Sequence, residues 1–221
     1  SAILSFCMLL TMAPTVAFAA DGDDEAANTI SLADATETSG TCGAGDSEDS
    51  VKWNFNSSTG TLTISGTGKM SNLNNSTETE NISAGAGTYP WANLKDSITN
   101  IVINDGVTSI GSKAFIAYTN VTSVNIGKDV SEIGVGALSQ LSACTTFNVS
   151  SENSNFTTDT TGALFDHSKT KLIAFPCGSS ATTYEIPDTV TTISYGAFSR
   201  AASLKTITIP KSSSLSTIGY G

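Results

Sequence analysis

The feature that most constrains this chain is a short apolar pattern that returns at a fixed interval. Ile98-Thr99-Asn100-Ile101-Val102-Ile103 is apolar at its first, fourth and sixth positions. The runs 121–126, 144–149, 181–186 and 204–209 repeat that spacing, and only the step from 144 to 181 departs from a constant period. A second stretch keeps the same phase. Val107, Ile110, Gly111, Ala114 and Phe115 are followed one period later by Val130, Ile133, Gly134, Ala137 and Leu138. Val190, Ile193, Ser194, Ala197 and Phe198 give the motif again. A period of this length with an L-x-x-L-x-L core marks a leucine-rich repeat. One such unit has too few apolar groups to offset the ordering of its backbone. It folds only when neighbours stack on it and share a core. The expected fold is a β-rich repeat solenoid of the leucine-rich-repeat, horseshoe class over residues 96–221, with short strands and short helical turns.

The long step holds one period and a surplus, and the surplus lies between Ser150 and Gly178. Residues 162–166 and 171–175 flank the turn His167-Ser168-Lys169-Thr170, which predicts a β-hairpin inserted into the solenoid at about 150–178. Pro187 and Pro210 each follow a strand core, where a missing N–H ends a ladder.

The run Ile186-Pro187-Asp188-Thr189-Val190-Thr191-Thr192-Ile193, then Gly196-Ala197-Phe198 and Leu204 to Pro210, resembles the BspA-type leucine-rich repeat of bacterial surface proteins, found also in some protozoan parasites. The resemblance covers about residues 95–221. Ser194 stands where that pattern expects Gly, and the third repeat lacks its Ile-Gly…Ala-Phe half. The resemblance implies a surface protein that binds other proteins, including adhesion to extracellular matrix.

Residues 42–95 do not follow the period. Trp53 to Phe55 and Thr61 to Ile64 alternate around Ser57-Ser58-Thr59-Gly60, which predicts a hairpin. The segment is similar to a leader module that precedes such repeats in secreted proteins of anaerobic bacteria. It is expected to cap the open end of the solenoid. Residues 21–41 read as a flexible acidic linker, and 71–87 as a polar loop. Ala2 to Ala20 carries no charge, ends Ala17-Phe18-Ala19-Ala20 and turns acidic at once, which predicts a signal peptide over 1–20. A retained membrane anchor is the alternative. Pro14 and the polar Ser5, Thr11 and Thr15 count against it. Ile218-Gly219-Tyr220-Gly221 aligns with Ile193-Ser194-Tyr195-Gly196, so the pattern is expected to run on, the chain being the N-terminal part of a longer protein.

Several chemistries are excluded or weakened. The net charge is −10, from 20 acidic and 10 basic residues, which argues against nucleic acid and against docking on an anionic membrane. Any membrane attachment would come through an unseen anchor. Gly66-Thr67-Gly68-Lys69 is not a phosphate loop, because Thr63 and Met70 hold positions that need Gly and Ser or Thr. Asp21-Gly22-Asp23-Asp24-Glu25 lacks the glycine and glutamate that a calcium loop needs. His167 is the only histidine and falls in a predicted turn, so no triad forms except through it. Cys42, Cys144 and Cys177 remain after the leader. They are an odd set, too widely spaced for a disulfide framework or a zinc site. Cys144 takes an inward position, and Cys177 is expected at an exposed turn. No enzyme activity, metal or small-molecule cofactor is expected.

The functional expectation rests on the outward strand positions, three and five of each core. They are Asn100 and Val102, Ser123 and Asn125, Thr146 and Asn148, Thr183 and Glu185, and Thr206 and Thr208. They point away from positions four and six and would form two columns on the sheet. Thr and Asn also suit any exposed strand, and the columns contain no aromatic anchor. The expected role is a secreted or cell-surface binding module that contacts an extracellular protein or cell-surface macromolecule. The alternatives are a non-catalytic region of a larger secreted hydrolase, or a structural stalk.

Overall fold

Each period makes two short strands because apolar and polar residues alternate in it and a turn divides it. In the first complete repeat Asn104-Asp105-Gly106 makes that turn, with Gly106 at φ +91°. The computed structural model describes residues 38–72 and 89–221. The expected signal peptide, most of the expected linker and most of the polar stretch 71–87 lie outside the described residues.

The chain begins with β1 (Ser39–Thr41), β2 (Val51–Asn56), β3 (Thr61–Gly66) and the short β4 (Gly68–Lys69). β2 and β3 pair antiparallel from Val51↔Gly66 to Asn56↔Thr61, and β1 lies along β2. The repeats follow with β5 (Asn100–Ile103) and β6 (Val107–Ile110), β7 (Ser123–Ile126) and β8 (Glu132–Ile133), and β9 (Thr146–Val149). β3, β5, β7 and β9 stack in parallel with no slip. Leu62, Ile101, Val124 and Phe147 form one inward row, and Ile64, Ile103, Ile126 and Val149 the next. The resulting sheet has the order β1-β2-β3-β5-β7-β9. A second sheet, β4-β6-β8, forms the other wall.

After β6 the chain makes a turn with two interleaved sets of bonds. Ala114, Ile116 and Tyr118 donate within the turn to Gly111, Lys113 and Phe115. Lys113, Phe115 and Ala117 donate instead to Val135, Ala137 and Ser139 of the next repeat, all at 3.0 Å. The alternation needs left-handed residues, found at Lys113 and Ala117 (φ +56° and +59°) and at Gly136 and Gln140 in the next turn (φ +66° and +62°). These backbone bonds join the first two repeats at the turn, in addition to the pairing of their strands.

The insertion interrupts this order. It begins at β10 (Phe156–Thr158), where Phe156 stands one period beyond Ile133. It continues through β11 (Leu164–Asp166) and β12 (Lys171–Ala174), which pair antiparallel across the turn at His167. Beyond it come β13 (Thr183–Glu185), β14 (Thr192–Ile193), β15 (Thr206–Thr208) and β16 (Thr217–Ile218). β12 pairs in parallel with β14, and β14 with β16. β11 is buried on both faces. Leu164 joins the apolar cluster that also holds Trp53, Ile101, Val124 and Phe147, and Phe165 joins a second cluster with Leu172, Tyr184 and Ile193. The hairpin is therefore a wedge between two cores. In the last rung Ile207, Ile209, Ile218 and Tyr220 are exposed.

Candidate binding face

Side chains on the outer face of the first sheet follow from the register. Asn100 lies beside Ser123 and Thr146, and Val102 beside Asn125 and Asn148. The inward residues between them are buried, whereas Asn100, Val102, Ser123, Asn125 and Thr146 are half-buried and Asn148 is exposed. Polar groups of adjacent rungs bond along the columns. Ser123 Oγ donates to Asn100 Oδ1 at 3.0 Å, and Asn148 Nδ2 donates to Asn125 Oδ1 at 3.0 Å. Thr146 Oγ1 donates to Asn148 Oδ1 at 3.3 Å. Such ladders fix the amide orientations and leave a firm surface of neutral donors and acceptors.

The structure brings six of the ten sequence-predicted residues onto this face. Thr183, Glu185, Thr206 and Thr208 are exposed, but they lie on β13 and β15, which form a separate two-stranded sheet. The hairpin breaks the columns because it moves the fourth rung out of the ladder of β9. On the other side the face extends further than the period suggests. Thr61 and Thr63 of β3 line up with Asn100 and Val102, and Asn54 and Asn56 of β2 stand beside them. Sequence reasoning missed this because β3 precedes β5 by well over one period. The usable signal was the match of Leu62 and Ile64 to positions four and six.

The turns at the ends of β5, β7 and β9 border a shallow open groove that includes Asp105, Asn125, Asn148 and Ser150. Asp105 accepts from Lys128 N at 2.9 Å, and Asp129 from Gly106 N at 2.8 Å. The Glu152 carboxylate, 3.5 Å from Lys128 Nζ, raises the lysine above its ordinary value, with Asp105 and Asp129 adding to it. These are solvent-exposed pairs that fix turns and contribute little stability.

The residues considered for chemistry are dispersed. His167 is exposed in its turn. Among the described residues no group of three His, Cys, Asp or Glu is placed to hold a metal ion. Cys144 is buried as expected, but Cys177 is buried too, contrary to its expected exposure, because its Sγ donates to the carbonyls of Phe175 and Ser199 beneath the turn. Burial pushes the thiols of Cys42 and Cys144 up to about 12 and that of Cys177 up to about 11, from 9.0. A raised acid titrates late in the folded state, so its stabilising contribution is complete below 9.0 and is lost as pH rises toward 11–12. Thermal stability is therefore expected to fall above pH 9. Cys144→Val should lose less between pH 9 and 11 than the parent chain. Equal slopes in the two melting series would refute the assignment.

The family model for the BspA type leucine rich repeat region matches in six copies, over residues 86–181 and 168–221, more than half of the chain. No curated protein sequence matches. Among solved structures, a leucine-rich repeat protein from Eubacterium ventriosum is 22% identical, with a TM-score of 0.39, over 82% of this chain and 62% of its own. The pneumococcal vaccine antigen PcpA is 18% identical, with a TM-score of 0.47, over 56% of this chain and 36% of its own. A leucine rich cell surface protein from Faecalibacterium prausnitzii is 17% identical, with a TM-score of 0.31, over 78% of this chain and 75% of its own. The chain thus spans less than two thirds of the first two. Among the described residues no helix is long and apolar enough to cross a membrane. With the family model covering the rungs from β5 to β16, the chain belongs to the BspA-type leucine-rich-repeat family.

Proposed function

We propose that this chain is part of a secreted or cell-surface protein that binds an extracellular protein or cell-surface macromolecule through the outer face of β5, β7 and β9. The observation that carries the reading is the ordered, uncharged polar ladder on that face, which joins Asn100 to Ser123 and Asn125 to Asn148. Extended faces of stacked repeats serve as binding surfaces, and fixed side-chain amides lose little entropy when a partner docks. Residues 1–20 serve as an export signal, and residues 42–95 close the end of the solenoid. The β2–β3 hairpin supports this, since it lays Trp53 and Phe55 over the core and continues its ladder into β5.

The test is binding of the purified protein to a panel of immobilised extracellular-matrix proteins and to intact cells. Saturable binding is expected, and Asn125→Lys and Asn148→Lys should each weaken it by about tenfold with an unchanged melting temperature. Absence of saturable binding on every surface, or full binding by both variants, refutes the reading.

A further inference from the structure

A cleft of about 230 Å³ opens between the second and fourth rungs, with Ile133 to Leu138 on one side and Ser194 and Tyr195 on the other. Phe156 and Ile173 of the insertion also line it. Its origin is a deletion in the ladder. Leu172 pairs with Ile193 as Ile110 pairs with Ile133, and Phe175 N donates to Ala197 O as Phe115 N donates to Ala137 O. Yet Phe175 follows Leu172 more closely than Phe115 follows Ile110, by two positions. The third rung is therefore two residues short across the stretch that Gly111-Ser112-Lys113, Gly134-Val135-Gly136 and Ser194-Tyr195-Gly196 occupy in the other rungs.

The shortened rung does not reach backbone groups that the intact turns pair. Gly134 N donates to Ile110 O, Lys113 N to Val135 O and Phe115 N to Ala137 O. One repeat later the corresponding groups are the carbonyl of Ile133 and the amides of Gly136 and Leu138. Among the described residues no partner meets any of the three, and β8 is an edge strand on that side. Ser194 Oγ, on the opposite wall, is also buried without a partner. At one end the walls meet, where Ser139 Oγ donates to Gly196 O at 3.2 Å. The Tyr195 ring closes over Gly136, 3.5 Å from where a Cβ would stand.

We propose that the cleft binds an extended, uncharged peptide segment of a partner protein, which takes the place of the missing piece of the third rung. Such a segment offers one N–H to Ile133 O and two carbonyls to Gly136 N and Leu138 N, as the intact turns do. Main-chain pairing at an open edge with apolar side chains in adjoining pockets is an established mode of peptide recognition. A lone anion fits less well, since Ile133 presents an acceptor and the carboxylates of Glu132 and Asp166 also border the cleft. The site is separate from the strand face and does not depend on its function.

Amide hydrogen exchange on the wild-type protein tests the vacancy. Gly136 and Leu138 should exchange on the order of 100-fold faster than Lys113 and Phe115. Equal protection overturns the proposal. The peptide acetyl-Ile-Gly-Val-Gly-Ala-amide, the sequence of the neighbouring turn, is then titrated while the amide resonances are followed. Saturable shifts at Gly136 and Leu138 are expected, together with at least tenfold weaker binding of acetyl-Ile-Pro-Val-Gly-Ala-amide, which lacks the N–H for Ile133. Ile173→Trp, which fills the cleft, should abolish the shifts. No shift with the first peptide, equal binding of the proline peptide, or the same shifts with sodium acetate alone would each overturn it.

Discussion

Trp91→Ala is expected to lower the unfolding free energy by about 3–5 kcal/mol, the range for emptying a buried aromatic site. The residue is fully buried at the joint between the N-terminal strands and the first complete repeat. Its ring stacks on Tyr89 at 5.1 Å and on Phe115 at 5.7 Å, and meets Trp53 edge-on at 6.0 Å. Its Nε1 donates to Ala114 O at 3.3 Å. No neighbouring side chain can collapse into the space without losing a ring contact of its own. Trp91→Phe, which keeps a ring and gives up the hydrogen bond, should cost less than half as much. Denaturant titration of both variants gives the answer. A loss under about 1 kcal/mol in the alanine variant would mean that the aromatic column does not join the two parts.

The second large effect is expected at Asn153, and there the repeat pattern misleads. One period beyond Val130 stands Asn153, at the place where the other repeats carry Val107, Val130 and Val190. A substitution to Val would therefore look like a repair. In the structure Asn153 is 4% exposed and its side chain is fully bonded. Its Nδ2 donates to Gly127 O at 2.8 Å and Val130 O at 3.0 Å, and its Oδ1 accepts from Asn155 N and Phe156 N at 2.8 Å. It clips the start of the insertion to the turn below. Asn153→Val should destabilise by about 3 kcal/mol or more, because buried backbone groups lose their partners and valine returns only packing. Stability equal to or above the parent would overturn this account of the junction.

Much of the fold was legible because stacking is a local rule applied repeatedly. A rung that places apolar groups at positions four and six buries them wherever a neighbour follows at the same spacing. Ile101, Val124 and Phe147 accordingly form one row. The same rule turned Asn100, Ser123 and Thr146 outward. The rule failed where the spacing changed. Thr183 and Glu185 keep the local pattern of their strand, yet they are parted from Asn148 by the inserted hairpin. Periodicity fixes which way a side chain points but not how far the next rung stands from the last. β3 shows the converse, since it joins the ladder from more than a period away because its pairing edge fits β5.

The sequence by itself thus determined the architecture of the rungs, the inward core and the family, since these depend on residues whose neighbours are set by a constant period. Only the tertiary structure decided where the ladder breaks, that Cys177 is buried and Asn153 bridges two turns, and that Ile133, Gly136 and Leu138 have backbone groups beside a cleft that no other described residue pairs. Those outcomes depend on how a hairpin of irregular length fits between two regular stacks. Backbone partners lost or gained there come from segments at no fixed distance along the chain, so no local pattern encodes them.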